Sequence, residues 1–150
     1  MDTVVDRLIR YAKVYSESDY HAGRAVTPST QRQFDMGRLL VEELHGLGIE
    51  NAVLDEKCYV YASVPASPGC EHLPAIGLIA HMDTTPDMTG KDVKPQVIHY
   101  EGGDVVLNRE KGIVMEAAQF PELQKFVGQD LVCSDAVSYT HLTLPTNREV

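Results

Sequence analysis

The chain has 150 residues, of which 43% are apolar and 23% charged, and its formal net charge is −9 at neutral pH. This length and composition are typical of one globular domain with its own hydrophobic core. An acidic chain is poorly suited to a phosphate backbone, and no apolar run is long enough to span a membrane, so we expect neither nucleic acid nor membrane as a partner.

The N-terminus and the cysteines indicate the compartment. The opening residues, MDTVVDRLIR, contain no basic region followed by an apolar stretch, so we expect no signal peptide. The three cysteines are odd in number and lack CxxC spacing, which argues against a disulfide framework and against a cysteine-type zinc site. These features predict that the protein is located in the reducing cytoplasm.

Two amphipathic helices are predicted in the first third of the chain. Residues 3–16 place apolar side chains on one helical face, and Thr3 with Asp6 resembles a capping box. The second helix is expected to begin near Thr30, with Gln33 three places on, and to end at Gly46–Gly48.

Short strands are predicted after the second helix, with a further helix near residues 121–127. Residues 75–80 are apolar without alternation, which is typical of a strand covered on both faces in a parallel sheet. The mixture of helices and strands indicates the α/β class. Gly102-Gly103 is expected to form a hairpin turn. The other candidate strands are residues 51–54, residues 58–64, the residues on either side of 101–104, and residues 131–133.

The motif that suggests chemistry is His81-Met82-Asp83, directly after the apolar segment. Residues two apart in an extended chain point to the same side, so both side chains can face one pocket. A neutral imidazole can ligate a metal through one nitrogen while a carboxylate holds its other N–H. On spacing alone, however, a strand end followed by an Asx-type turn at Asp83 is the simpler interpretation.

A longer window favours the metal interpretation. Residues 76–85, IGLIAHMDTT, resemble the first signature of the dinuclear-zinc aminopeptidase and deacylase superfamily. Three longer segments, one of which contains residues 76–85, resemble the peptidase T family of tripeptide aminopeptidases within that superfamily, and the resemblance runs in order to about Asp135. These segments are TPSTQRQFDMGRLLVEELHGLG, LPAIGLIAHMDTTPDMTGKDVKPQVIHYEGGDVVLN and FPELQKFVGQDLVCSD.

The resemblance implies a cytoplasmic zinc hydrolase that releases the N-terminal residue from tripeptides. Its active site would hold two Zn²⁺ ions, with His81 as a metal ligand and Asp83 as the catalytic acid that orients His81. The fold implied is part of a catalytic α/β domain, with a mixed, mostly parallel sheet flanked by helices and the family's lid domain absent. The substrate would be a small peptide, and oligomeric state is not indicated.

The remaining ligands and the general base expected for the family match no position in this chain. Residues 1–135 are therefore interpreted as the N-terminal part of the catalytic domain, and residues 136–150 as an unrelated tail that we expect to be poorly ordered. His141 lies in that tail without neighbouring acids, so we expect no ligand role for it. The 150-residue chain alone is expected to be inactive. Two alternatives stay open: another amide hydrolase of the superfamily, either a dipeptidase or a deacylase, and a non-catalytic α/β binding module.

Overall fold

The computed structural model describes residues 2–23, 25–87 and 89–135, and these fall into two compact units. Ser16–Asp83 forms one unit, called here the hairpin unit. The other, the sheet unit, combines the residues before Ser16 with those from Thr84 onward. In the described part of the chain, no helix combines the length and the hydropathy that a bilayer crossing requires.

Helix α1 (Val4–Ala12) opens the sheet unit with the cap that the sequence predicts. The Thr3 hydroxyl accepts from the Asp6 backbone N–H at 3.1 Å, and the Asp6 carboxylate accepts from the Thr3 N–H at 2.8 Å. The two bonds satisfy backbone donors that the first helical turn leaves unpaired. The predicted capping box is therefore confirmed, although the helix ends four residues before Ser16.

Helix α2 (Gln33–Gly46) belongs to the hairpin unit and begins three residues later than predicted. The Thr30 hydroxyl donates to the Glu17 carbonyl at 2.7 Å instead of capping the helix. The predicted end is confirmed: Gly48 has a φ of +84°, and its N–H donates to the His45 carbonyl. The Ile49 N–H closes the same Schellman motif on the carbonyl three residues before the cap, which is Leu44.

A small hairpin packs against α2 and completes the hairpin unit. Strands β1 (Val53–Leu54) and β2 (Val60–Tyr61) pair antiparallel and are both shorter than predicted. The Asp55 carboxylate accepts from two backbone N–H groups of the turn. Cys58, which was expected to begin the second strand, lies in this turn with a φ of +65°. A Cβ on Gly37 of α2 would lie 2.7 Å from the Leu54 Cδ1, so a glycine permits the close approach of helix and strand.

The sheet unit contains two antiparallel strand pairs. Strand β3 (Pro95–Tyr100) pairs with β6 (Gln129–Ser134), and β4 (Val105–Asn108) pairs with β5 (Ile113–Met115). Between them, Pro121–Phe126 forms a 3₁₀ helix. The core of this unit is built around three buried side chains, and these are Tyr100, Val105 and Leu123.

Two sequence predictions about strands are wrong for this structure. The Gly102-Gly103 turn connects β3 to β4, which pair with other strands, so it does not close a hairpin. Residues 75–80 have no regular secondary structure, and Ile76, Leu78 and Ile79 are 88–101% exposed. A strand forms only beside a hydrogen-bonding partner, and no described strand lies beside this segment.

The described residues thus contain both helices and strands, as predicted, but all three strand pairs among them are antiparallel. The mostly parallel sheet stays a prediction. The predicted tail, residues 136–150, lies outside the described residues.

Candidate functional site

The two residues singled out by the sequence lie at the end of the hairpin unit and contact each other. The Nδ1 of His81 lies 3.1 Å from an Asp83 carboxylate oxygen. An ionised carboxylate only accepts hydrogen bonds, so this contact favours the neutral tautomer with Nδ1–H, in which Nε2 carries the lone pair. The His81 side chain is 83% exposed, and within the described residues its Nε2 has no hydrogen-bond partner.

This arrangement leaves one imidazole nitrogen oriented by a carboxylate and the other accessible to a ligand. Such an outer hydrogen bond fixes the tautomer and the ring orientation of metal-ligating histidines. The geometry therefore agrees with the predicted contact between Asp83 and His81. Their roles as metal ligand and catalytic acid stay predictions.

A third residue, which sequence reasoning missed, contacts the backbone between them. The Ser16 hydroxyl donates to the Met82 carbonyl oxygen at 3.0 Å, across 66 positions of sequence. The Ser16 side chain is fully buried. No sequence pattern identifies this contact, because an isolated serine in a polar stretch gives no signal.

The His–Asp contact is not unique to this place. In the sheet unit, the Nδ1 of His99 lies 2.8 Å from a carboxylate oxygen of Asp130, on the neighbouring strand. Both of these side chains are more than half exposed. A His–Asp contact alone therefore does not identify a metal site.

The number of metal-binding side chains decides whether these residues can hold a zinc ion. Zinc sites use at least three protein ligands. Among the residues that the structure describes, no group of three or more His, Cys, Asp or Glu side chains is placed to hold a metal ion. His81 can supply one ligand, but the described residues do not by themselves fit zinc. His141 lies outside the described residues.

The cysteines do not join this site. All three thiols are free, and Cys58 and Cys133 are buried. Burial raises the pKa of both buried thiols, which keeps them protonated at neutral pH. Cys133 is a small buried residue on β6.

Comparison with known proteins shows which proteins this chain resembles. No family model matches the chain. The peptidase T of Alkaliphilus oremlandii, however, is 46% identical over 140 residues, which are 92% of this chain. The chain is similar to peptidase T over most of its own length. The peptidase T proteins of Halothermothrix orenii and Geobacillus kaustophilus are 46% and 43% identical over 140 and 136 residues, or 92% and 90% of this chain.

The match covers most of this chain but little of its relatives. The aligned residues are 34%, 33% and 32% of the three peptidase T proteins, so the chain spans about one third of their length. The resemblance to peptidase T that the sequence predicts is therefore confirmed, and so is its partial coverage. These identities extend far beyond the His81–Asp83 window, since that window has only ten residues.

Proposed function

We propose that the protein to which this sequence corresponds is a cytoplasmic, zinc-dependent tripeptide aminopeptidase, which releases the N-terminal residue from tripeptides. The observation that carries the proposal is 40–46% identity to peptidase T proteins over about nine tenths of the chain. The substrate is a small peptide, and we propose no nucleic-acid or membrane partner.

His81 is proposed as one ligand of a two-zinc centre, and Asp83 as the acid that orients it. The 3.1 Å contact supports this assignment because it leaves Nε2 as the nitrogen available to a metal. The further ligands and the general base would come from sequence outside this chain. The role of His81 and Asp83 is to present one correctly oriented nitrogen.

The exposed apolar segment supports the proposed fold of the longer protein. We infer that residues 75–80 form a strand in a mostly parallel catalytic sheet once strands from the rest of that protein lie beside them. Three large apolar side chains of this segment are almost completely exposed in the described structure. Burial of such side chains is favourable, so they would stabilise an added sheet neighbour.

A chimera tests the proposed function. The matched third of the Alkaliphilus oremlandii peptidase T would be replaced by the aligned residues of this chain, and hydrolysis of an unblocked tripeptide would be followed by mass spectrometry. We expect release of the N-terminal amino acid, loss of the activity on chelation and its return with Zn²⁺. His81→Ala should abolish activity, and Asp83→Asn should lower zinc affinity about 10–100-fold.

The second His–Asp pair supplies the matched control. His99→Ala also removes an exposed imidazole with a carboxylate contact, and it should leave the tripeptide activity unchanged. A folded, zinc-loaded chimera that cleaves dipeptides or acylated amino acids but not tripeptides would favour another amide hydrolase. A folded chimera without any peptidase activity, beside an active parent, would favour a binding module and contradict the proposal.

A further inference from the structure

Ser16 is the most completely buried side chain of the described residues, and its hydroxyl bonds to the backbone between the two candidate site residues. Its exposure is 0%, and Oγ donates to the Met82 carbonyl at 3.0 Å. A buried hydroxyl is stable only with a partner, and here the partner is a backbone oxygen rather than another side chain.

Among the described residues, this contact is the only hydrogen bond that joins residues 74–83, called here the site segment, to the rest of the hairpin unit. Of residues 74–83, all described, only Met82 makes a hydrogen bond to a residue outside that segment, through its carbonyl. The preceding apolar residues have neither a strand partner nor a backbone hydrogen bond. Ser16 therefore restrains the His81–Asp83 backbone from one side, and Thr84, the next residue, takes part in an isolated backbone bridge.

The Met82 carbonyl belongs to the peptide group that joins Met82 to Asp83. Because the peptide group is planar, fixing the direction of this carbonyl also fixes the plane in which the Asp83 N and Cα lie, and so restrains the point from which the Asp83 side chain projects. Side chains two apart lie on one side only while the residue between them stays extended. Rotation of this peptide would move the Asp83 carboxylate away from Nδ1.

We propose that Ser16 is a positioning residue, which holds the Met82–Asp83 peptide so that Asp83 keeps His81 in its Nδ1–H tautomer with Nε2 available. The proposal builds on the site assignment of the proposed function. It needs neither metal nor substrate for its test, since it concerns only the imidazole of this chain.

The tautomer of His81 is measured by side-chain ¹³C and ¹⁵N NMR on the 150-residue chain, at one pH where the ring is neutral. We expect wild type to show mainly the Nδ1–H form. Ser16→Ala should lower the ratio of Nδ1–H to Nε2–H about fivefold, as expected for loss of one ordinary hydrogen bond. Ser16→Thr keeps a hydroxyl and should restore the wild-type ratio.

A general loss of stability would not reproduce this pattern. Ser29→Ala is the matched control, because the Ser29 hydroxyl also bonds within the hairpin unit, to Asp19 and Gln33, but does not contact Met82. It should leave the His81 tautomer unchanged. Asp83→Asn should shift the tautomer as Ser16→Ala does, and the double variant should add little, since the Ser16 change acts on the tautomer through the Asp83–His81 contact.

Two results would overturn the proposal. One is a wild-type His81 that is mainly in the Nε2–H form, a measurement that needs no variant and so does not depend on the folding of Ser16→Ala. The other is a folded Ser16→Ala chain with the wild-type tautomer ratio. An inactive chimera combined with the expected tautomer shift would refute the tripeptide function and leave the positioning role intact.

Discussion

Zinc added to the 150-residue chain should bind only at millimolar concentrations. The reason is the single imidazole that the described residues offer at the candidate site, where no group of three metal-binding side chains is formed. A structural zinc site with four protein ligands provides an apparent binding free energy of about 10–16 kcal/mol. The share of one ligand is then about 2.5–4 kcal/mol, which corresponds to a Kd of about 1 mM or weaker.

Equilibrium dialysis of the tag-free chain against zinc, with metal measured by mass spectrometry, checks this magnitude. At about 10 µM free zinc, a Kd of about 1 mM leaves only about 1% of chains occupied through His81. His81→Ala and His99→Ala should lower the amount of bound zinc by the same small amount. Both remove one exposed imidazole that contacts a carboxylate.

A different result would refute the reasoning. Binding of one zinc per chain with a micromolar Kd, abolished by His81→Ala and kept by His99→Ala, would mean that further donors converge on His81 within this chain. The proposal that the other zinc ligands come from sequence outside this chain would then be wrong.

Three further outcomes are expected. Gly37→Val should destabilise the chain to urea by about 1–3 kcal/mol, because the new side chain overlaps Leu54, whereas Gly46→Val, with nothing within 4 Å, should stay within about 0.5 kcal/mol. Ile79→Lys should slow aggregation of the 150-residue chain several-fold in light scattering, and an unchanged rate would exclude the exposed segment as its cause. Cys70 should react with a thiol reagent about tenfold faster than the two buried cysteines, whose raised pKa lowers their thiolate fraction. Denaturant should remove that difference, and equal rates in the folded chain would contradict their burial.

The features that sequence predicted correctly depend on residues close together in the chain. The Thr3–Asp6 capping box requires only a spacing of three, and the glycine after α2 requires only a left-handed conformation at one position. The contact between His81 and Asp83 follows from a spacing of two. In each case a few consecutive residues specify both the partners and the backbone geometry, so the sequence pattern is enough to predict the feature.

The features that sequence missed depend on distant partners. Thr30 does not cap α2 because a carbonyl 13 residues earlier takes its hydroxyl. Cys58 leaves the second strand because the Asp55 carboxylate closes a turn around it. Residues 75–80 have the composition of a buried strand, yet composition supplies no neighbour, and without a ladder partner the segment has no regular secondary structure and stays exposed. Ser16 is the extreme case, since its partner is 66 residues away.

The two His–Asp pairs show why a local contact and a site are different things. His99 and Asp130 meet because two strands pair in register, while His81 and Asp83 meet because they are two apart. Both contacts can orient an imidazole, and neither brings the three or more ligands that zinc requires.

Convergence of ligands is a property of the tertiary fold, so it has to come from elements that pack beside residues 75–83. The relatives are about three times as long as their match to this chain, and the exposed apolar segment leads directly to His81. If a neighbouring strand covered residues 75–80, its packing would also bring new side chains close to the Nε2 of His81. Burial of residues 75–80 and completion of the metal site are therefore linked.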